Sequence, residues 1–403
     1  MKPASLDFSA LHTSMQRWVE NDYLPGVSVA VLTGRDQLHT HCVGWADKEQ
    51  RVTLREDHLF RIYSNTKLIT SCVVLQLLEE GRLALEDPIE RFLPALGQRQ
   101  VLKPGAKSLA EVVPARGPIT IGQLLSHSSG LSYGLLDPGT LMFEAYTARN
   151  INSRELTLEQ MVQALAPLPL AFEPGTSWEY SIATDVLART AEVICAQPFD
   201  RVLRERIFEP LQLADTGFFV PEAQHHRLAG VYQGASLQEP MRPGLARAEH
   251  LLRPPANLRP APLLSGGGGL VSSLPDMVKL LRALMPGGAP SSSTLLKPAT
   301  LALLARNQLA KGCFLQFPGL PALRGRSHGL AGGVVLTPNE TDHPQATGEI
   351  YWGGMAGTMW WISPAHDFAA AVMTQRWLGF GHPYGIDIKR EVYNAVLGAK
   401  RST

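Results

Sequence analysis

Alternation of apolar and polar residues near both ends of the chain predicts β-strands. Residues 26–34 (GVSVAVLTG) and 37–46 (QLHTHCVGWA) are two runs rich in β-branched side chains, and the short turn between them predicts a hairpin. Near the other end, residues 348–354 (GEIYWGG), 357–364 (GTMWWISP) and 367–375 (DFAAAVMTQ) are three more short runs, separated by glycine and proline turns. We expect strands from the two chain ends to share one antiparallel sheet.

The region between these strands has the periodicity of helices. Apolar residues recur every three or four positions in several central segments, and again in a closing segment: 120–129, 157–168, 183–197, 273–285 and 386–400. A chain of 403 residues is long enough for two subdomains. We therefore predict an α/β fold of the α+β type. Residues 1–85 and 300–403 form the sheet with its flanking helices, residues 86–299 form an inserted, mainly helical subdomain, and the functional site lies between the two.

Composition and charge narrow the classes of partner. With 45% hydrophobic residues, 18% charged residues and a formal net charge of +1, the chain lacks the basic excess of a nucleic-acid-binding protein. No segment approaches the roughly 18 apolar residues of a membrane span, and the N-terminus carries no secretory signal, so we expect a cytoplasmic protein without a membrane partner. The four scattered cysteines lack zinc-ligand spacing. His225 and His226 are adjacent, and adjacent histidines rarely bind the same metal ion. Neither a metal nor a cofactor is expected.

A serine and a lysine one helical turn apart carry the strongest chemical signal. In FRIYSNTKLITSCVVLQLLEEG (residues 60–81), apolar residues follow Ser64 at helical spacing and Gly81 ends the pattern. Ser64 is therefore placed at a helix start, where unpaired N–H groups and the helix dipole favour negative charge on its oxygen. Lys67 lies on the same helix face, and a partly buried lysine with a lowered pKa can accept a serine proton. Ser64 is the only serine in the chain followed three residues later by a lysine.

The alternative is that Ser64 is a helix N-cap and Lys67 an ordinary surface lysine. The apolar sequence that follows argues against a surface lysine at this point. A second candidate nucleophile is Ser132, because GLSYG (residues 130–134) matches the G-x-S-x-G elbow of α/β hydrolases. That elbow requires a strand before it and a helix after it, whereas here a helix-like segment precedes and a proline and a glycine follow. The elbow is the weaker hypothesis.

Three further features have structural interpretations. Residues 266–269 (GGGG) have no strand before them and no Gly-Lys-Ser/Thr after them, so close approach of bare backbone is favoured over phosphate binding. We interpret His127 as a residue that orders a loop and not as a general base. Trp360 and Trp361 are neighbours on one predicted strand and point to opposite faces, so at most one is expected in the core and the other beside a cleft.

The set of motifs resembles the serine β-lactamase and penicillin-binding-protein superfamily. FRIYSNTKL resembles its nucleophile motif, PGTSWEYSIATDVLARTAEVI (174–194) its second element, and YWGGMAGTMWWISP (351–364) its third. These motifs occur in the family's order, and the resemblance spans residues 26–375. It implies a β-lactamase/transpeptidase-like fold in which Ser64 is the nucleophile and Lys67 and Tyr180 take part in proton transfer.

Two departures from the family pattern indicate which branch of the superfamily the chain resembles. Ile182 stands where β-lactamases and transpeptidases have an asparagine that holds the substrate amide. Trp352 stands where many members have a lysine that meets the substrate carboxylate. A Trp-Gly-Gly element with these catalytic residues is similar to the family VIII carboxylesterases, which share the class C β-lactamase fold and cleave esters. The resemblance therefore implies a serine carboxylesterase that hydrolyses small neutral esters through an acyl-enzyme, with no cofactor and a small-molecule ester as its partner.

The resemblance also implies the remaining roles in the site. Backbone N–H groups of Ser64 and Met355 would form the oxyanion hole. The residues expected to contact substrate are Trp352, Gly353, Gly354, Tyr133, Ser132 and Ile182. Two other functions stay open: a β-lactamase, D-peptidase or acyltransferase on the same fold, and a non-catalytic binding module.

Overall fold

Strands from both chain ends pair in one antiparallel sheet. The computed structural model describes residues 6–236, 238–253, 256–285, 295–317 and 322–398. Its strands are β1 (Gly26–Thr33), β2 (Gln37–Asp47), β3 (Val52–Thr53), β4 (Leu59–Arg61), β5 (Gln100–Leu102), β6 (Val112–Pro114), β7 (Tyr232–Gly234), β8 (Leu245–Arg247), β9 (Val271–Ser273), β10 (Arg326–His328), β11 (Gly333–Val335), β12 (Ile350–Gly353), β13 (Met359–Ser363) and β14 (Phe368–Met373). Eight of them form the main sheet in the order β10-β11-β12-β13-β14-β1-β2-β3, and β4–β9, β5–β6 and β7–β8 are separate pairs.

The first and last strands of the chain meet in the middle of this sheet. β1 pairs along its length with β14, from Ser28 opposite Met373 to Thr33 opposite Phe368. The five strands that alternation predicts are all present, so the predicted sheet from both chain ends is confirmed. β10 and β11 extend it beyond β12 and were not predicted.

Both faces of the sheet are covered. Trp360 and Trp361, adjacent on β13, are each only 1% exposed. Trp360 belongs to the large apolar core on one face, and Trp361 to a second core on the other. The prediction that at most one of them is in the core is therefore wrong, because a sheet buried on both faces accepts large apolar side chains in both directions.

The helices lie where apolar periodicity predicts them, with several additions. They are α1 (Ser9–Glu20), α2 (Thr66–Glu79), α3 (Ile121–Leu125), α4 (Leu141–Ala148), α5 (Leu158–Leu165), α6 (Ala183–Cys195), α7 (Phe199–Leu203), α8 (Glu209–Leu211), α9 (Leu274–Leu284), α10 (Pro298–Leu304) and α11 (Pro383–Gly398). α2 passes through the large core, and its residues from Thr66 to Leu75 are all buried. Capping boxes at Thr120 and Thr157 fix where α3 and α5 begin. Within the described ranges, no helix is both long enough and apolar enough to cross a bilayer.

Helices from the two chain ends cover the second face together. α1 and α11 supply much of the core that contains Trp361. Asp387 on α11 accepts hydrogen bonds from Ser14 Oγ at 2.8 Å and Trp18 Nε1 at 2.9 Å, and pairs with Arg17 at 2.6 Å. One carboxylate thus joins the first and last helices of the chain, on the side of the sheet away from α2.

Candidate active site

Ser64 lies in a tight turn immediately before the buried helix α2. The turn is a 3₁₀ segment, Tyr63–Asn65, and Tyr63 has φ +44°, a left-handed conformation that non-glycine residues rarely adopt. Neighbouring contacts hold this strained backbone: Asn65 Nδ2 donates to Thr358 Oγ1 at 3.0 Å, and Thr358 Oγ1 donates to the Ile62 carbonyl at 3.3 Å. The Ser64 hydroxyl is therefore presented from the helix start, as predicted, by a segment tied to the sheet.

Tyr180 contacts the Ser64 hydroxyl. Its Oη donates to Ser64 Oγ at 2.7 Å, from the loop just before α6. The tyrosine ring is held by neighbouring rings, with centroids 5.0 Å away for His127 and 5.4 Å away for both Tyr133 and Trp352. The structure thus places the hydroxyl of Tyr180, the predicted proton-transfer group, in direct contact with the serine oxygen.

Lys67 lies behind this pair and is buried. Its Nζ donates to the Gly267 carbonyl at 2.6 Å and contacts Tyr133 Oη at 3.5 Å. The same nitrogen lies 4.6 Å from the centroid of the Tyr180 ring. Lys67 Nζ therefore lies beside the ring of the tyrosine that contacts Ser64.

The predicted lowering of the Lys67 pKa is wrong. Burial favours the neutral amine, but Tyr133, Tyr180 and Asp185 outweigh it, and the pKa of Lys67 is raised. Asp185, in the first turn of α6, is itself buried and accepts from Ser265 Oγ at 2.6 Å and from the Gly267 N–H at 3.2 Å. Lys67 consequently stays an ammonium, and it supplies positive charge to the site.

The turn between β12 and β13 forms the other side of the site. The Gly357 N–H donates to the Gly354 carbonyl at 2.9 Å, which leaves Met355 at a corner whose N–H the turn does not use. A Cβ on Gly354 would lie 2.5 Å from the Ile62 carbonyl, so bare backbone is needed for this turn to reach the Ser64 segment. Met355 and Ser64 line the same two cavities, and the role of Met355 in an oxyanion hole stays a prediction.

Two cavities meet at Ser64. The larger, of about 490 Å³, and the smaller, of about 230 Å³, share Ser64, Tyr180, Met355 and Leu136. Aromatic and apolar side chains dominate the smaller cavity: Leu315, Phe317, Leu323, Tyr351, Trp352, Met359 and Phe380. The larger one combines leucines with three arginines. Ser64 therefore lies where the two cavities adjoin.

The predicted substrate-contacting residues divide into two groups. Tyr133 and Ile182 line the larger cavity, and Trp352 and Gly353 line the smaller one. Ser132, by contrast, is fully buried and is not part of either cavity wall, and Gly354 is packed against backbone. Substrate contact by Ser132 or Gly354 stays a prediction, which the walls of the two cavities do not support.

The secondary hypotheses also have structural outcomes. A loop after α3 leads into Ser132, so the strand that a nucleophile elbow needs is not there.

The His127 ring lies within hydrogen-bonding distance of Ser181 Oγ, at 2.9 Å, and burial lowers its pKa, as suits a neutral loop-ordering residue. A Cβ on Gly267 would lie 2.4 Å from Asp185 Oδ2, so close backbone approach explains the glycine run. The described residues contain no group of three or more His, Cys, Asp or Glu side chains that could hold a metal ion.

Sequence reasoning missed Asp185 and Gly267. Both contact the buried lysine or lie within its electrostatic reach. A signal was available, because a buried ammonium requires a nearby counter-charge and hydrogen-bond acceptors. Asp185 is one of three acidic residues in the motif that carries Tyr180, together with Glu179 and Glu192.

Comparison with known proteins assigns this geometry to a family. The family model described as Beta-lactamase matches residues 14–393. The chain belongs to the beta-lactamase family. Membership confirms the fold class expected from the Ser-x-x-Lys, Tyr180 and Trp-Gly-Gly motifs.

Individual members of the beta-lactamase family extend this result. Protein Rv1367c of Mycobacterium tuberculosis (strain ATCC 25618 / H37Rv) is 32% identical over 356 residues, which cover 87% of this chain and 86% of that protein. Esterase EstB of Burkholderia gladioli is 30% identical over 384 residues, covering 92% and 91%. The solved structure of EstCE1, a hydrolase with promiscuous acyltransferase activity, superposes with a TM-score of 0.78 at 27% identity, covering 95% and 97%. These matches confirm the resemblance to β-lactamase-like esterases and the expectation of an enzyme with hydrolase activity.

Proposed function

We propose that this protein is a serine esterase that cleaves its substrate through an acyl-enzyme on Ser64. The observation that carries the proposal is the 2.7 Å contact between Tyr180 Oη and Ser64 Oγ at the junction of two cavities. A serine hydroxyl becomes an effective nucleophile when a positioned base removes its proton. The similarity to esterase EstB and to EstCE1 supports ester chemistry or acyl transfer on this fold.

The mechanism follows from the positions of three side chains. The Lys67 ammonium stabilises negative charge on the Tyr180 oxygen, and Tyr180 in its phenolate form accepts the proton of Ser64 as Oγ attacks the ester carbonyl. Backbone N–H groups of Ser64 and Met355 donate to the oxyanion of the tetrahedral intermediate. Tyr180 then returns the proton to the leaving alcohol. A water molecule deacylates Ser64 by the same proton transfers and releases the acid.

The smaller cavity suits a short, uncharged acyl group. Its volume of about 230 Å³ and its aromatic walls leave room for a few carbon atoms. Trp352 offers apolar surface where a lysine would offer charge. The one arginine on this wall, Arg326, is paired with Asp342 and lies over the Tyr351 ring. The expected neutral character of the substrate is therefore assigned to its acyl half.

The test compares two serines in hydrolysis of p-nitrophenyl butyrate. Ser64→Ala should lower kcat/KM by at least about a thousandfold, because the covalent step is lost. Ser132→Ala should retain at least about a tenth of native activity, since loss of a buried hydroxyl affects packing more than chemistry. Circular dichroism checks that both variants are folded. Near-native turnover by Ser64→Ala would contradict the proposal.

Acyl transfer to an alcohol is the second candidate function. Its support is the similarity to EstCE1, together with a larger cavity spacious enough to hold an acceptor alcohol beside the acyl-enzyme. Chromatography of products formed with a primary alcohol present distinguishes the two functions. Free acid as the main product supports the esterase, and a new ester as the main product supports the transferase.

A further inference from the structure

Three arginines on the wall of the larger cavity have no acidic partner among the described residues. Arg61 is buried and donates only to backbone carbonyls, to Ala256 at 3.0 Å and to Ala229 at 3.3 Å. Arg253, at the exposed end, donates to the Asn152 carbonyl at 2.9 Å. The Arg154 guanidinium has neither a hydrogen bond nor an ion pair within the described ranges, although it is partly buried.

The positive charges of these arginines lie close enough to affect one another's pKa values. Burial lowers the pKa of Arg154, Tyr63 opposes that shift, and the neighbouring Arg253 adds to it. The charge of Arg154 likewise lowers the pKa of Arg61. An arginine keeps its charge in such a setting. Glu249 partly offsets the charge of Arg61 from a distance, but none of the three guanidinium groups has an ion-pair partner among the described residues.

The acidic residue on this cavity wall is already engaged. Asp185 bonds Ser265 and the Gly267 N–H and faces the Lys67 ammonium, so it does not neutralise the arginines. A partly buried charge without a partner is unfavourable for the free protein. An anionic ligand that supplies the missing acceptors would therefore bind here with a specific gain.

The other residues of the cavity wall indicate the size and the apolar character of the rest of that ligand. Leu135, Leu251, Leu252, Leu263 and Trp377 surround a space of about 490 Å³. This volume holds a molecule with an aromatic ring or a short hydrocarbon skeleton. The cavity is thus apolar along its length and positively charged at Arg154 and Arg253.

We propose that the larger cavity binds the alcohol half of the ester and that this half carries a carboxylate, which pairs with Arg154 and Arg253. The inference rests on the proposed function, since it assigns a substrate class to the same site. Planar guanidinium groups suit carboxylates because two parallel N–H donors match the two oxygens. The substrate is then an ester of a hydroxy acid, uncharged at its acyl end and anionic at its alcohol end.

The experiment compares two esters that differ in charge alone. These are 4-(butyryloxy)phenylacetate and its primary amide, which present the same acyl group and ring. The native enzyme should show a KM at least about tenfold lower for the carboxylate, as charge-assisted pairing with arginine predicts. Arg154→Gln should abolish this advantage by raising the KM of the carboxylate ester to about that of the amide. Arg149→Gln, an exposed arginine on the same segment, is the matched control and should keep the advantage.

A binding measurement separates this inference from the proposed function. Calorimetry with Ser64→Ala protein should show that the product 4-hydroxyphenylacetate binds more tightly than its amide, and that adding Arg154→Gln removes the difference. If the acid binds in this way while neither ester is hydrolysed, the carboxylate site stands and the esterase proposal fails. Equal KM values for the two esters in the native enzyme, or a carboxylate advantage that survives Arg154→Gln, would overturn the inference.

Discussion

Tyr180 and Lys67 divide the activation of Ser64 between direct contact and charge. Tyr180 Oη touches the serine oxygen, whereas Lys67 Nζ is bonded to the Gly267 carbonyl and lies beside the Tyr180 ring. Because the pKa of Lys67 is raised, the amine holds its proton through the neutral pH range. In the mechanism that we propose, Tyr180 is then the group that exchanges a proton with Ser64, and Lys67 lowers the cost of negative charge on it.

The two variants of this pair should therefore differ in how far kcat falls. Tyr180→Phe should lower kcat by at least about a thousandfold, because no other group takes the proton. Lys67→Met should lower kcat by at least about a hundredfold near neutral pH, because the positive charge beside the Tyr180 ring is lost. The native rate should not fall between about pH 8 and pH 10, since a raised pKa keeps Lys67 charged there.

Stopped-flow and steady-state assays across this pH range provide the measurement, with thermal unfolding as a check of folding. Near-native turnover by Tyr180→Phe would remove Tyr180 from proton transfer. A kcat of Lys67→Met close to the native value would contradict the role of its charge.

At the residue scale, sequence motifs predicted the nucleophile segment well and its surroundings less well. Ser64 and Lys67 are three apart, in the turn before α2 and in its first turn, so a local rule finds them, and Tyr180 follows from a family motif. Asp185 and Gly267 come from distant segments and act on Lys67 only after folding. The direction of the Lys67 pKa depends on these long-range neighbours, which is why the sequence alone predicted it incorrectly.

At the scale of elements, the loop of residues 265–269 holds the lysine in place. It passes between α2 and α6 so closely that a Cβ on Gly266 would lie 2.7 Å from Ala188 Cβ. A Cβ on Gly267 would lie 2.4 Å from Asp185 Oδ2 and 3.3 Å from Lys67 Nζ. A Cβ on Gly268 would make only ordinary contacts, the nearest at 3.8 Å to Tyr63. Two adjacent glycines thus differ sharply in how much they tolerate a methyl group.

This difference gives a matched pair of variants. Gly267→Ala should displace Asp185 or Lys67 and lower kcat by at least about tenfold, because misplacement of a catalytic charge by a fraction of an ångström is costly. Gly268→Ala should remain within about threefold of native kcat, since nothing must move. Steady-state hydrolysis of an aryl ester measures both. Equal effects of the two substitutions would show that this loop does not position Lys67.

Strands and helices were predicted correctly where the periodic pattern of apolar residues extends over enough positions. The hairpin β1–β2, the strands β12 to β14 and the helices α5, α6 and α9 extend over enough residues to show their period. β10 and β11 have three residues each, which is too short for alternation to be recognised. α3 is shorter than its pattern because it ends at Leu125, two residues before His127 adopts φ +56°.

At the scale of the whole molecule, the sheet separates the candidate active site from the helices at the two chain ends. α2 and the active site lie on one face, while α1 and α11 cover the other. The pairing of strands from both chain ends was predictable from alternation, whereas the burial of Trp361 was not. Its burial depends on α1, for which no helix was predicted, and on how α1 packs against α11.

The Asp387 contacts test this separation. Asp387→Ala should lower the free energy of unfolding by about 2 kcal/mol, because Trp18 Nε1 and Ser14 Oγ lose a charged acceptor. It should leave kcat/KM for an aryl ester within about twofold, since these contacts lie on the face opposite Ser64. Arg390→Ala, an exposed change on the same helix, should affect neither quantity. Thermal and urea unfolding with parallel activity assays measure both, and a large loss of activity below the unfolding transition would contradict the separation.

The identity of the acylated residue is the central claim, and mass spectrometry after reaction with a fluorophosphonate probe tests it most directly. This reagent forms a stable covalent adduct with an activated serine. We expect the native protein to gain one adduct, located by peptide mapping on Ser64, and Ser64→Ala to gain none, whereas Ser132→Ala is labelled like the native protein. An adduct on Ser132 or on any other serine, or a folded native protein that is not labelled at all, would contradict the account.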